Sequence, residues 1–280
     1  MSVAVYTNPG IGDAYWALMK ILPHEEVDLK VVKCAIYRSH FLGQLKGVRS
    51  VEEFDMSPKA FTLHAASLYG SYSGLAPSMY MDMNTYLETG ARIENYMPNA
   101  FKTTTFNLEW ELTKEGGDKA KSYIVPGMKN VVVYTSSARN NTGGSAAPWT
   151  PRRWHDVIAD LYRKVPYLNL VWIGAYYDTD ILPQLDFPQM KVMIAESPEV
   201  VIQLLSGADC FITYQSGLSI LAVCNSIPTY MLYFNKLDKL RWSWCPPEAV
   251  SNRNLYAADL FGDINNDISP IADWVIERTR

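Results

Sequence analysis

The hydrophobic positions along the chain form two patterns: short runs that are apolar throughout, and longer segments in which apolar residues recur every three or four positions. The first pattern is typical of buried parallel strands and the second of amphipathic helices. Near the amino terminus, the apolar run VAVY (3–6) leads through a glycine-containing loop into a segment where Leu18, Ile21 and Leu22 lie at helical spacing. The sequence VDLKVVKCAI (27–36) predicts the next strand.

The same order of strand and helix begins again at Lys129. The runs KNVVVY and LNLVWIGA predict strands on either side of an amphipathic helix in TPRRWHDVIADLYRKVP. A later helix, SPEVVIQLLSGA, has a serine at its N-cap and a proline at its first helical position. After it the chain continues as a strand, a turn of small residues, a helix and another strand.

Because strands and helices alternate, the chain is predicted to be an α/β protein with parallel sheets covered on both faces. The polar stretch 113–128 is interpreted as a linker between two Rossmann-like lobes, 1–125 and 128–260, with a terminal helix in 261–280. Ligands of such sheets bind beyond the carboxyl ends of the strands. We therefore expect the two sheets to face a central cleft.

The composition allows a large buried core and argues against a generic nucleic-acid coat protein, because 48% of the 280 residues are hydrophobic and the formal charge is −4. Basic residues are nevertheless concentrated between Lys30 and Arg49, where there are five of them and no acid. Two interpretations stay open for this stretch. It is either a solvated face or a site for a phosphorylated or polyanionic partner.

Cysteine and histidine usage indicates the compartment and the metal content. The four cysteines have irregular spacings without a CxxC motif, which is typical of a reducing compartment. No secretory pattern opens the sequence, and no apolar run approaches the about 18 residues of a membrane span. We therefore expect a cytoplasmic protein with no membrane span. The four histidines are not spaced as a metal pair, so no metal site is predicted.

The turn QSGLS (215–219) is the most specific chemical signal in the sequence. Between a strand and a helix it would place the backbone N–H groups of Ser216, Gly217, Leu218 and Ser219 at a helix N-terminus. The partial positive charge there favours binding of a diphosphate. Since such a connection is common in α/β proteins, the turn by itself does not assign a ligand.

The surrounding segment, TYQSGLSILAVCNSIPTYML, resembles the donor-binding segment of the ADP-heptose:lipopolysaccharide heptosyltransferases, which are family-9 glycosyltransferases of GT-B fold. Gln215 and Ser219 stand where that family has Asp and His. Two further stretches resemble the family in order and spacing, namely its phosphate loop with the following tryptophan-containing helix start and its opening Gly-Asp loop. The residues that carry the resemblance are Ser216, Gly217, Leu221, Ala222 and Pro228, then Trp149, Pro151 and Trp154, and the segment NPGIGDAYWALMKILP.

The resemblance implies an inverting glycosyltransferase that moves a sugar from a nucleoside-diphosphate sugar to a hydroxyl acceptor. It implies no cofactor beyond this nucleotide-sugar co-substrate, and no metal. The residues expected to bind the donor on this basis are Ser136, Ser137, Arg139, Arg153, Gln215, Ser216, Gly217, Leu218 and Ser219. The basic residue that the family has just before Trp149 is replaced here by Ala147 and Pro148, so Arg139, Arg152 or Arg153, or hydroxyls and helix ends, would have to meet the phosphate charge. Trp149 and Trp154 are interpreted as packing residues that brace the phosphate loop.

Asp13 is the general base that the resemblance implies, and Asn8, Gly10 and Gly12 form the acceptor-side loop around it. A base must lie within hydrogen-bond reach of the acceptor proton, and its negative charge also favours an oxocarbenium-like transition state. On the local sequence alone, Asp13 is equally well explained as an N-cap of its own helix.

The acceptor is expected to be polyanionic, either a saccharide of a surface glycan or, as the second choice, a hydroxymethylated base in DNA. Two other functions are kept as alternatives. One is an enzyme like the polysaccharide pyruvyl transferases, which would use phosphoenolpyruvate instead of a nucleotide sugar. The other is a non-catalytic nucleotide-binding relative, a possibility raised by Gln215 and Ser219.

Overall fold

The apolar runs of the sequence form two separate parallel sheets, one in each of two units of the chain. The computed structural model describes residues 2–7, 11–23, 26–32, 40–54, 78–81, 107–136, 149–214, 216–233, 255–259 and 267–278. The first unit consists of Met1–Leu112 with Arg241–Pro246, and the second of Thr113–Leu240 with Pro247–Arg280.

The first unit contains a four-stranded sheet in the order β3-β2-β1-β4, in which every pair of neighbours is parallel. Helix α1 follows β1 and buries Tyr15, Leu18 and Met19 completely. A short 3-10 helix at His40–Gln44 precedes β3. The elements are β1 (Ser2–Thr7), α1 (Ile11–Ile21), β2 (Glu26–Val32), β3 (Val48–Phe54) and β4 (Ser78–Met81).

Strand β2 has one apolar and one polar face. The odd-numbered residues of 27–31 are fully buried. On the other face, Asp28 accepts a hydrogen bond from the Ser50 hydroxyl at 3.0 Å, and Lys30 forms an ion pair with Glu52 at 2.5 Å. Strand β2 is therefore half-buried. Its second face carries polar side chains that pair with those of β3.

The second unit contains a six-stranded parallel sheet in the order β10-β9-β8-β5-β6-β7. A 3-10 helix at Tyr176–Ile181 follows β6. The elements are α2 (Lys114–Lys121), β5 (Lys129–Tyr134), α3 (Pro151–Lys164), β6 (Leu168–Gly174), α4 (Leu182–Leu185), β7 (Lys191–Ile194), α5 (Pro198–Gly207), β8 (Cys210–Tyr214), α6 (Gly217–Cys224), β9 (Thr229–Tyr233), β10 (Leu255–Asp259) and α7 (Ser269–Arg278).

Both faces of this second sheet are covered, because its central strands carry apolar side chains on both sides. One face packs against α3 and α7, which contribute Trp154 and Val275 among others. The opposite face packs against α2, α5 and α6, through residues such as Leu204 and Ala222. This doubly wound arrangement confirms the predicted α/β fold class with parallel sheets.

The stretch interpreted from the sequence as a linker instead begins with helix α2. Thr113 caps the helix, and its backbone N–H donates to Glu199 Oε1 on α5 at 2.5 Å. Gly116 and Gly117 lie against the side chains of Glu199 and Gln203. The sequence KEGGDKAK has little apolar periodicity because α2 contacts α5 largely through its backbone, its glycines and polar side chains.

Among the helices in the described ranges, none is both long enough and apolar enough to cross a lipid bilayer. In the same ranges, no group of three or more His, Cys, Asp or Glu side chains is placed to hold a metal ion.

Candidate functional site

The strand order of the second sheet defines where a ligand is expected to bind. From β5 the chain continues through β6 and β7 toward one edge, and from β8 through β9 and β10 toward the other. The carboxyl ends of β5 and β8 therefore flank the topological switch point, where open α/β sheets bind ligands. Thr135 and Ser136 follow β5 there, and Ser216–Ser219 follow β8.

The turn after β8 is held by a reciprocal pair of serines. Ser216 is the N-cap of α6, and its hydroxyl accepts the Ser219 N–H at 3.3 Å. In return, the Ser219 hydroxyl accepts the Ser216 N–H at 2.9 Å and donates to the Ser216 carbonyl at 2.7 Å. The Ser219 hydroxyl thus both donates and accepts within the turn, and Ser219 is fully buried.

Two backbone donors are left at the start of α6. Within the described residues, the N–H groups of Gly217 and Leu218 donate to no acceptor. They belong to the first turn of the helix, where N–H groups have no intrahelical partner and the helix dipole attracts negative charge. Of the residues predicted in this turn, these two can bind an anion through the backbone, while Ser216 and Ser219 fix its shape.

The start of α3 is joined to the end of β8 by buried aromatic rings. Trp149, Trp154 and Tyr214 meet edge to face, with ring centroids 5.1 to 6.3 Å apart. The Trp154 indole N–H donates to the Tyr214 hydroxyl oxygen at 2.9 Å. Burial raises the pKa of Tyr214 well above its ordinary value, so the phenol stays neutral. The two tryptophans are thus packing residues at the end of β8.

Arg153 is the predicted cationic residue that the structure describes in this region. Its guanidinium lies 5.7 Å from the centroid of the Trp149 ring, which is a cation–π distance. Thr150 caps the first turn of α3 by accepting the Arg153 N–H. Arg153 is therefore held beside the aromatic cluster that packs on the end of β8.

A second buried contact joins β5 to β6. The Trp172 indole N–H donates to Thr135 Oγ1 at 3.0 Å, and both residues are buried. The Trp172 ring lies over Gly174, where an added Cβ would be 2.2 Å from the ring. Thr135, Trp172 and Tyr214 were not selected from the sequence, because buried strand residues carry no local signal of being near a ligand.

In the first unit, β1 lies between β2 and β4. The carboxyl ends of β1 and β4 therefore flank the switch point of that sheet, as those of β5 and β8 do in the second. Helix α1 begins at Ile11, which makes Asp13 its third residue instead of its N-cap. Gly12 is buried in the same turn. The side chain of Asp13 lies outside the described part of the structure, as do Asn8 and Gly10.

Three of the residues predicted for donor binding, Ser137, Arg139 and Gln215, also lie outside the described residues. Ser136 is half-buried directly after β5. The structure thus brings Ser136 and the first turn of α6 to adjacent strand ends. Arg153 contacts the aromatic cluster that packs on the end of β8, which is one of these two strands.

Two lysines of the basic stretch between Lys30 and Arg49 form ion pairs with acidic side chains of the same unit. Lys30 pairs with Glu52, and Lys46 pairs with Glu109 at 2.9 Å. The Lys46 pKa is raised by its hydrogen bond and charge interaction with Glu109. These pairs favour the interpretation of the stretch as a solvated face.

Comparison with known proteins identifies the fold. No family model matches the sequence, and no curated protein matches it. A family 9 glycosyltransferase from Veillonella parvula DSM 2008 matches in structure with a TM-score of 0.61 and 12% identity, over 99% of this chain and 96% of that one. The chain has the GT-B fold.

Two heptosyltransferases of E. coli also match over nearly the whole length of both chains. ADP-heptose lipopolysaccharide heptosyltransferase II gives a TM-score of 0.59 at 12% identity, over 100% of this chain and 99% of its own. Heptosyltransferase WaaC, solved with ADP, gives 0.59 at 12% identity, over 99% of this chain and 100% of its own. The resemblance to the heptosyltransferases found in the sequence is confirmed at the level of fold.

Proposed function

We propose that this protein is an inverting glycosyltransferase that moves a sugar from a nucleoside-diphosphate sugar to a hydroxyl group. The observation that carries the proposal is the turn after β8. There the Gly217 and Leu218 N–H groups, with no acceptor in the described residues, lie at the start of a helix and at the switch point of a doubly wound sheet. This combination suits a diphosphate. A structural relative, heptosyltransferase WaaC, was solved with ADP.

The donor would be held by backbone and side chains of the second unit. In this proposal the diphosphate accepts hydrogen bonds from the first turn of α6 and from Ser136, and the Arg153 guanidinium supplies positive charge nearby. Ser137, Arg139 and Gln215 complete the proposed donor site. The helix dipole and the guanidinium together stabilise the negative charge that develops on the leaving nucleoside diphosphate.

Asp13 is the proposed general base. Its carboxylate takes the proton of the acceptor hydroxyl while the hydroxyl oxygen forms a bond to the anomeric carbon. The bond from that carbon to the phosphate oxygen breaks on the opposite side, and the nucleoside diphosphate leaves with its electron pair. The configuration at the anomeric carbon is inverted. Asn8, Gly10 and Gly12 are proposed to leave room for the acceptor at the start of α1.

For the acceptor we propose a saccharide hydroxyl of a surface glycan. Because Lys30 and Lys46 are paired with acids, recognition of a longer polyanion such as DNA gains no support from them. We propose that the reaction needs no cofactor apart from the nucleotide sugar.

The first experiment measures binding of ADP, UDP, GDP, CDP and phosphoenolpyruvate by calorimetry, followed by release of the nucleoside diphosphate from the matching sugar donors with saccharide acceptors. We expect one nucleoside diphosphate to bind. Asp13→Asn should lower turnover by about 10²- to 10⁴-fold, because a general base contributes that much, and should leave the donor Kd unchanged.

Glu53→Gln, at an exposed position on β3, is the control and should keep both turnover and affinity. Binding of phosphoenolpyruvate alone would favour pyruvyl transfer. Binding of a nucleoside diphosphate with no turnover on any sugar donor would favour the non-catalytic alternative. Full activity of Asp13→Asn would contradict the assignment of the base.

A further inference from the structure

Thr135 is the first residue after β5, and within the described residues its hydroxyl group accepts a hydrogen bond but donates none. Its Oγ1 accepts the Trp172 indole N–H at 3.0 Å. A threonine hydroxyl has one proton to donate as well as lone pairs to accept. Within the described residues, no acceptor takes the Thr135 proton, although the residue is only 6% exposed.

Such a buried donor is costly unless something accepts its proton. An unsatisfied buried polar group destabilises a protein by about 1–3 kcal/mol, and buried groups of this kind are therefore nearly always paired. The position of Thr135 indicates what the acceptor is. Strand β5 lies between β6 and β8, and the ends of neighbouring strands are about 4.8 Å apart. Thr135 therefore lies at the same end of the sheet as the turn in which the Gly217 and Leu218 N–H groups donate to no acceptor within the described residues.

The orientation of this hydroxyl is fixed by Trp172. An indole N–H can only donate, so it holds the oxygen of Thr135 as an acceptor and turns the hydroxyl proton away from itself. The ring in turn lies over Gly174, where the Cβ of any side chain would be 2.2 Å from it. Trp172 is itself fully buried, which prevents the ring from moving into solvent.

We propose that the Thr135 hydroxyl donates a hydrogen bond to a phosphate oxygen of the bound nucleoside diphosphate, and that Trp172 is the positioning residue that orients it. The inference rests on the proposed function, since it uses the same donor site. It adds a side-chain donor directly after β5 to the backbone donors at the start of α6. Trp172 itself does not contact the ligand.

The test is calorimetric titration of the wild-type protein and four variants with ADP, UDP, GDP and CDP. Thr135→Val keeps the shape of the side chain and removes the hydroxyl, and Thr135→Ser restores it. Trp172→Phe keeps an aromatic ring and removes the N–H. Thr229→Val is the matched control, because Thr229 is a fully buried threonine at the amino end of β9, where its hydroxyl donates to the Ile227 carbonyl.

We expect Thr135→Val to weaken the Kd of the nucleoside diphosphate by about 10- to 100-fold, the loss of one hydrogen bond to a charged oxygen. Trp172→Phe should weaken it less, because the hydroxyl remains but is no longer oriented. Thr135→Ser should bind within about threefold of wild type. Thr229→Val should lower the thermal stability and leave the Kd unchanged, which separates a loss of binding from a general loss of stability.

The possible results distinguish this inference from the function on which it rests. If the wild-type protein binds none of the nucleoside diphosphates, the proposed function fails and the role of Thr135 fails with it. If the wild-type protein binds one and folded Thr135→Val binds it equally well, the role of Thr135 is wrong while the proposed function stands. Equal weakening in Thr135→Val and Thr229→Val would likewise overturn it.

Discussion

Tyr214 shows how a single hydroxyl group holds two elements of the second unit together. It is the last residue of β8, and its oxygen accepts the indole N–H of Trp154 on α3. Both side chains are buried, and burial keeps the phenol neutral by raising the pKa of Tyr214. The start of α3 is thereby fixed against the strand whose end carries the proposed donor turn.

Removing this hydroxyl should destabilise the protein measurably. Tyr214→Phe preserves the ring contacts but leaves the Trp154 N–H without an acceptor in a buried place. We expect the free energy of unfolding to fall by about 1–3 kcal/mol, as for other unpaired buried donors. Urea denaturation followed by circular dichroism measures the change.

Tyr162→Phe is the control for this variant. The Tyr162 hydroxyl is also buried, and burial raises its pKa to about 12, but it has no hydrogen-bond partner among the described residues. Its removal should leave the free energy of unfolding unchanged or slightly higher. If the two variants were equally stable, the Trp154–Tyr214 hydrogen bond would contribute nothing.

At the scale of the elements, the buried amide side chain of Asn130, at the amino end of β5, stabilises the connection from α2 to β5. Asn130 Oδ1 accepts the Val125 N–H and an Asn169 Nδ2 proton, each at 2.8 Å. Its Nδ2 donates to the carbonyls of Val125 and Met128. The Asn130 side chain thus pairs backbone N–H and carbonyl groups that would bond to each other in a regular tight turn.

Asn130→Ala is expected to lower the free energy of unfolding by about 3 kcal/mol, because it leaves several buried polar groups without partners. Asn225→Ala is the comparison, since the Asn225 side chain donates a hydrogen bond to the Leu221 carbonyl at a half-buried helix end. Equilibrium unfolding of both variants gives the difference. A cost at Asn130 no larger than that at Asn225 would contradict the role of the network.

At the scale of the molecule, the second unit is completed by the last helix of the chain. Helix α7 packs against α3, and Trp274 meets Tyr230 edge to face at 5.5 Å. Lys164 on α3 lies 3.2 Å from buried Asp160 and 3.5 Å from Asp273 on α7. Helix α7, which is far from β5 in the sequence, therefore covers the same face of the sheet as α3.

Truncating this contact should destabilise the whole unit. Trp274→Ala removes a side chain that is only 7% exposed, so we expect a loss of about 3–5 kcal/mol in the free energy of unfolding. Tyr176→Ala changes an aromatic residue that is 79% exposed and should cost no more than about 0.5 kcal/mol. Differential scanning calorimetry compares the two, and similar melting temperatures would show that α7 is not needed to stabilise the core.

The sequence by itself determined the elements whose pattern is local. The strands β5, β6 and β8 are rich in apolar residues, and the turn at Ser216 follows from a serine cap and a glycine. Such features depend on neighbours within a few residues, so the alternating fold and the turn between β8 and α6 were predictable. Helix α2 was not, because it is held by contacts such as that of Thr113 with Glu199, 86 positions away in the sequence.

Only the tertiary structure decided which strands are neighbours and which buried side chains meet. The placement of β5 between β6 and β8 brings Thr135 to Trp172, a pairing across 37 residues that no periodicity encodes. Hydrogen-bond partners of buried polar groups are set by long-range packing, which local sequence does not specify.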